Sequence, residues 1–187
     1  MSLQRVLGVC GSLRSASLNA ALLRTAARLA PRGLELRTGS SLGVLALYNP
    51  DLEGSPPAPV RAWREAVAHS DALLLASPEY AHGVSGVVKN ALDWLVGFEP
   101  FLAKPVAVLN ASPRAHHARD ALLETLATMS ARIVPGACVT VPLLGSGLSE
   151  AQMAESPAVA GPLRLALQEL RHALAAGAPP APAFGVA

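Results

Sequence analysis

The sequence predicts an α/β protein built as a three-layer, doubly wound, five-stranded parallel sheet in the order 2-1-3-4-5. Three observations carry this. Short apolar runs of strand length alternate with segments of helical period along the chain. The run over 72–76 is apolar throughout, as a strand covered on both faces must be. Clusters of Gly, Pro, Ser and Asn separate them.

The elements follow in order. Residues 6–10 read as the first strand. Residues 17–30 read as a helix with Leu18, Leu22, Thr25, Ala26 and Leu29 on one face, stopped by Pro31 and Gly33. Residues 34–38 form the second strand. Residues 39–59 make a connection long enough to suggest a functional or interface segment. A second helix covers 57–69, with Val60, Trp63 and Val67 inward, and the third strand is 72–76. The third helix is expected over 84–96, where Lys89 and Asp93 stand at i and i+4 and can pair. The fourth strand covers 106–109, the fourth helix 115–131, the fifth strand 137–141 and the fifth helix 159–176. Residues 1–176 are thus expected to form one domain, and the Ala, Pro and Gly tail over 177–187 is expected to fray.

Composition narrows the function. The chain has 187 residues, enough for one domain with a sizeable core, and is 51% hydrophobic. Aromatic residues make up 4%, too few for a stacking platform on single-stranded nucleic acid. The net charge is +2 and Arg is scattered, so neither nucleic acid nor a membrane surface is expected as partner. No run reaches the ~18 apolar residues of a membrane span, and the N-terminus does not read as a signal peptide. The expected location is cytoplasmic. Cys10 and Cys138 show no CxxC spacing and read as buried, reduced thiols.

Ligands of doubly wound sheets bind outside the carboxyl ends of the strands, so the loops there matter most. After the first strand the chain reads Gly11, Ser12, Leu13, Arg14, Ser15, Ala16, Ser17, Leu18, Asn19. Gly11 permits a sharp turn. The hydroxyls of Ser12, Ser15 and Ser17, the Arg14 fork and the Asn19 amide crowd a helix start whose N–H groups favour an anion. A phosphate monoester suits that set. The bland alternative is that Ser17 only caps the helix and Arg14 is solvated. The loop is neither a Walker A motif nor GxGxxG. A phosphatase loop with Cys10 as nucleophile would need five residues before its Arg, and Arg14 follows after three.

The loop after the third strand runs from Ser77 through Pro78, Glu79, Tyr80, Ala81, His82, Gly83, Val84 and Ser85 to Gly86. Tyr80 puts a flat aromatic ring at the binding edge beside backbone N–H groups, which suits a planar heterocycle. His116 and His117 follow the fourth strand. Adjacent residues on a helix diverge by about 100°, a poor chelating arrangement, so a solvated helix start is expected there rather than a metal.

Together these segments resemble the NADPH-dependent FMN reductase family, which includes quinone, chromate and azo-dye reductases. Gly11, Ser12, Arg14, Ser17 and Asn19 resemble its GSxRxxSxN motif. Pro78, Glu79, Tyr80, Gly86, Lys89, Asn90, Ala91, Asp93 and Trp94 resemble its PEYxxxxPGxLKNAIDW motif. Residues 47–53 are similar to the family's segment before the second helix, and the resemblance runs from about residue 4 to about residue 175. The chain departs at Ser85, where the family has Pro, and at Val88, where Leu is usual. It also has Ala111, Ser112, Pro113, Arg114 and Ala115 where many members carry a Gly-rich loop.

The resemblance implies a flavodoxin-like fold, bound FMN, NADPH or NADH as donor, and a small-molecule electron acceptor. It implies that Ser12, Arg14, Ser17, Leu18 and Asn19 hold the phosphate. Pro78, Glu79, Tyr80, Ala81 and Gly83 would hold the ring, and Ser112 would close the third side. No side chain need act as a nucleophile. It also implies a homodimer or homotetramer, with the end of the third helix near Trp94 and Phe98 as candidate interface. A flavodoxin that only shuttles electrons is the rival. Such proteins are usually acidic with a T/S-x-T-G-x-T loop, whereas this chain has a pI near 8.8 and an Arg in the loop.

If Arg14 holds a terminal phosphate, Arg14→Ala should weaken FMN binding by about 1.5–3 kcal/mol, the worth of a charged hydrogen bond. Riboflavin, which lacks the phosphate, should bind almost unchanged in a fluorescence titration. Equal losses for both ligands would place the effect in the fold.

Overall fold

The structure, a computed structural model, describes residues 3–177. In chain order its elements are β1 (Gln4–Cys10), α1 (Leu18–Arg28), β2 (Leu34–Thr38), α2 (Ala58–Ala68) and β3 (Ala72–Ala76). A hairpin of β4 (Glu79–Tyr80) and β5 (Gly83–Val84) follows, then α3 (Gly86–Asp93), β6 (Pro105–Asn110) and α4 (His116–Thr128). The chain closes with β7 (Arg132–Ile133), β8 (Val139–Thr140), α5 (Glu150–Glu155) and α6 (Pro157–Ala175). The main sheet has the order β2-β1-β3-β6-β7, with β8 also on β6, and its strand pairs are parallel. The predicted order holds, with β6 in the fourth position.

Strand residues alternate between two cores. Val6, Leu34, Leu36, Leu74 and Leu109 pack on one face against Leu22, Leu23 and Ala26 of α1 and Leu163, Leu167 and Leu170 of α6. Leu7, Val9, Leu73, Leu75, Val106 and Val108 face the other way. There they meet Val60, Trp63 and Val67 of α2, Val88 and Leu92 of α3, and Leu122 and Leu126 of α4. Because β3 is buried along its whole length, it must be apolar at every position, as its Ala-Leu-Leu-Leu-Ala sequence is.

The predicted elements need four corrections. The fifth strand is split. Pro135 has no N–H for a ladder and turns residues Pro135–Ala137 into a 3₁₀ turn between β7 and β8. The Cys138 thiol fills part of the gap, accepting the Val108 N–H at 3.4 Å. The third helix starts at Gly86 rather than 84, because residues 79–84 form the hairpin. A helix absent from the prediction, α5, precedes α6 and carries a capping box between Ser149 and Gln152. Finally, Trp94 is fully buried and its indole N–H donates to the Ala46 carbonyl at 2.8 Å, so it cannot anchor an interface.

The long 39–59 connection is fastened to α3. Asn90 accepts the Tyr48 N–H at 2.8 Å and donates to the Ala46 carbonyl at 3.0 Å. Arg64 adds a bidentate pair with Glu53 and lies over the Trp94 and Phe98 rings. The predicted Lys89–Asp93 pair forms on the exposed side of α3. Cys10 and Cys138 are free thiols, each half-buried rather than fully buried. Burial raises the Cys138 pKa above the usual thiol value. The tail expected to fray lies, from residue 178 onward, outside the described residues.

Leu74 sits at the middle of β3 with 1% of its surface exposed. Leu74→Ala should therefore cost about 2–5 kcal/mol, the range for a buried Leu whose site cannot collapse. Urea denaturation would show this as a lowered midpoint with an unchanged slope.

Candidate functional site

The carboxyl ends of β1, β3 and β6 open onto one cleft of about 470 Å³. That volume lies within the range of small-molecule sites. Its first wall is the loop into α1. The Gly11 N–H donates to the Ala76 carbonyl at 2.8 Å, which carries the ladder one step past the strand. Ser17 is buried and caps α1, its Oγ accepting the Ala20 N–H at 3.2 Å. The cap leaves the Ser17 O–H free to donate outward. Capping and anion binding are therefore compatible at this residue. Asn19 is 8% exposed, and its Oδ1 has no hydrogen-bond partner.

The second wall is the hairpin. Ser77 donates to the Ser85 hydroxyl at 3.3 Å, closing its base. Ala81 and His82 form the two-residue turn with φ of 48° and 59°. Two-residue hairpins favour such left-handed turns, usually with Asn or Gly. Two contacts hold the turn. Glu79 Oε2 accepts the Ala118 N–H of the first turn of α4 at 2.8 Å. The His82 ring stacks on His117 with centroids 4.3 Å apart. One oxygen of the Glu79 carboxylate is thus engaged by α4. Tyr80 stands at the rim, 55% exposed.

The third wall follows β6. Asn110 is buried and shapes the turn, its Oδ1 accepting the Ser112 N–H at 3.3 Å and its Nδ2 donating to the Ala115 carbonyl at 3.3 Å. Ser112 Oγ accepts the Arg114 N–H at 3.2 Å. His116 and His117 are both exposed, as expected of a solvated helix start. No trio of His, Cys, Asp or Glu has metal-holding geometry among the described residues.

The cleft brings together Ser12, Arg14, Ser17, Leu18, Asn19, Pro78, Glu79, Tyr80 and Ser112. Ala81 and Gly83 do not line it; the first forms the hairpin's turn and the second its far strand. Sequence reasoning missed Ala16, Ser77, Asn110, Ala111, Arg114, Ala115 and Leu144. Asn110 and Arg114 carried a signal, since an Asx turn and a second Ser-x-Arg at a strand end can both be read directly. Leu144, beyond β8, carried none.

The donor set fits an FMN phosphate. Among the described residues no carboxylate pairs with Arg14. Its guanidinium, the serine hydroxyls and the start of α1 make a cationic corner with one unmatched buried amide. A ribityl hydroxyl can donate to Asn19 Oδ1, or the amide can turn its N–H₂ toward a phosphate oxygen.

Fold and cleft define a flavodoxin-like α/β protein whose cleft is lined by the donor-rich loop after its first strand. The chain belongs to the NADPH-dependent FMN reductase family, which matches residues 4–143. An NAD(P)H-dependent FMN reductase of Pseudomonas aeruginosa is 46% identical over 112 residues, covering 58% of this chain and 60% of that protein. A quinone reductase of Pseudomonas putida is 41% identical over 113 residues, covering 57% of this chain and 59% of its own. The chain thus spans about 60% of the length of these curated relatives. Among solved structures, the flavoenzyme NAD(P)H:(acceptor) oxidoreductase FerB from Paracoccus denitrificans superposes with a TM-score of 0.79 at 26% identity. The superposition covers 92% of this chain and 98% of that one.

A Cβ built on Gly11 would lie 2.6 Å from Val88 Cγ2, 2.7 Å from Ser77 Oγ and 2.9 Å from Ser85 Oγ. Gly11→Ala should therefore push the first loop away from the hairpin. FMN affinity should fall at least tenfold in an equilibrium titration, with a lowered melting temperature. Unchanged affinity would mean that the two walls need not be this close.

Proposed function

We propose that the protein is an FMN-containing oxidoreductase that transfers hydride from NADPH or NADH to a small acceptor such as a flavin, quinone, azo compound or metal oxyanion. The observation that carries this is the unpaired Arg14 at the start of α1, facing the same cleft as the Tyr80 hairpin. Its relatives' names point the same way.

Ser12, Arg14, Ser17, Leu18 and Asn19 hold the phosphate end. Backbone groups of Pro78, Glu79 and Tyr80 border the ring, and Ser112 borders it from the third wall. Glu79 acts through α4, fixing the hairpin relative to the β6 loop. FMN, when bound, supplies the hydride chemistry, and the protein supplies binding, orientation and field. Ala81 and Gly83 contribute by shaping the hairpin. Cys10 takes no part, its Sγ being placed 3.6 Å from the Ser12 carbonyl beneath the loop.

A homodimer or homotetramer fits the exposed apolar side chains at the cleft's outer side. Leu13 is 58% exposed, Val44 60% and Leu47 83%, and Leu13 borders Gly43. This replaces the buried Trp94 as the candidate contact. A cytoplasmic setting suits two free thiols. No helix among the described residues is long and apolar enough to cross a membrane.

With one flavin face covered by protein, donor and acceptor must take turns on the other, so turnover should be ping-pong, with parallel double-reciprocal lines. Heat-released cofactor should run as FMN, not FAD, by chromatography. Cys10→Ala should leave the rate of flavin bleaching by NAD(P)H nearly intact in stopped flow. Intersecting lines, or recovery of FAD alone, would overturn the proposal. A flavodoxin-type shuttle would show no direct bleaching.

A further inference from the structure

The cleft holds a second cationic loop that the phosphate reading leaves unused. Ser112, Pro113 and Arg114 follow β6 as Ser12, Leu13 and Arg14 follow β1. The local geometry repeats. Ser12 Oγ accepts the Arg14 N–H at 3.4 Å, and Ser112 Oγ accepts the Arg114 N–H at 3.2 Å. Since β1 and β6 flank β3 in the sheet, the two loops stand on either side of the same strand end. Both arginines are exposed and both line the cleft. Neither pairs with a carboxylate among the described residues. The one carboxylate in the lining, Glu79, accepts the Ala118 N–H and pairs with neither guanidinium.

We propose that Arg114, on the turn shaped by Ser112 and Pro113, forms a second anion-recognition point, which takes a phosphate of the nicotinamide dinucleotide donor. This rests on reading the first loop as the FMN phosphate site. A phosphate monoester is matched there by Arg14 and the start of α1. A second fork across the same cleft calls for a second oxyanion. The donor brings that chemistry into the cleft at every turnover, in its pyrophosphate and, for NADPH, in its 2′-phosphate. Pro113 fixes φ before Arg114, and Asn110 ties both sides of the turn, so the fork is held by a stiff loop. Leu144, 55% exposed and in the same lining, offers an apolar surface beside it for a flat ring.

The test compares Arg114→Ala and Arg114→Lys with Arg14→Ala in the FMN-loaded protein. Arg114→Ala should leave the FMN dissociation constant within about twofold, while Arg14→Ala raises it at least tenfold. Arg114→Ala should raise the KM for the donor at least tenfold, and Arg114→Lys should restore part of the loss. A loss confined to NADPH assigns the 2′-phosphate; an equal loss for NADH assigns the pyrophosphate. Calorimetric binding of 2′,5′-ADP gives the readout without turnover, and Arg114→Ala should weaken it by a similar factor. If Arg114→Ala impairs FMN binding as Arg14→Ala does, or leaves both donors and 2′,5′-ADP unaffected, the proposal is wrong. Failure of the wild-type protein to bind FMN would instead refute the flavin reading, and the 2′,5′-ADP titration would still report on Arg114.

Discussion

The close approach at Gly11 is the constraint from which the rest of the site follows. The first strand ends one residue before it, and the Gly11 N–H is bonded to Ala76 at the end of β3. A methyl group at this point would overlap Val88, Ser77 and Ser85, which belong to the hairpin base and α3. The absent side chain lets two loops from neighbouring strands enclose one cleft. It also explains Ser85, a small residue with 2% exposure where the family resemblance leads one to expect proline. Its hydroxyl closes the hairpin against Ser77, a bond proline could not make. The departure is thus absorbed locally.

The hairpin stores strain. Left-handed backbone at residues other than glycine costs about 1–2 kcal/mol each, and Ala81 and His82 both adopt it. The offset comes from α4: the Glu79 carboxylate on the Ala118 N–H at a helix start, and the His117 ring stacked on His82. The histidine pair judged a poor chelator from its spacing has a packing role through His117. The second and third walls of the cleft are consequently one unit, with α4 as the strut between them.

Much of this was legible in the sequence, and the parts that were not have physical causes. β3 falls where its apolar run ends, because a strand buried along its whole length leaves no polar position to blur the boundary. The run at 137–141 contains β8, but the same logic did not show β7 before Pro135 or the 3₁₀ turn between them. The hairpin was hidden because its turn lacks the Asn or Gly that marks such turns, being held by contacts distant in sequence. The helix α5 was signalled by Ser149 and Gln152 at capping-box spacing, yet its six residues are too few to show a period. Trp94 was misjudged because an aromatic near a helix end looks the same whether it is exposed or covered. The 46–48 segment covers it, and that contact depends on Asn90. The first wall was legible because its donors are contiguous, and Ser112 of the third wall was named through the family resemblance. Asn110 and Arg114 beside it were missed, because their place in the cleft depends on β6 standing beside β3.

The sheet order explains why three loops, and not two, make the site. The chain leaves β1 toward β2 on one side and returns to β3 on the other. The connections after β1 and β3 therefore diverge, and a crevice opens between them at the switch point. That crevice alone would be a groove. β6 lies beyond β3 and carries its loop past the end of the neighbouring strand, where Asn110 turns it back toward the cleft. The first loop is bound to its role by Gly11 and by the cap of α1, so few changes there would leave the cleft intact. The third loop has no comparable backbone contact across the cleft. Ser112, Pro113 and Arg114 stand on a turn held by Asn110, so their side chains can change without disturbing the sheet beneath. On the proposed function, the constrained wall holds the cofactor and the freer one meets the molecules that visit it.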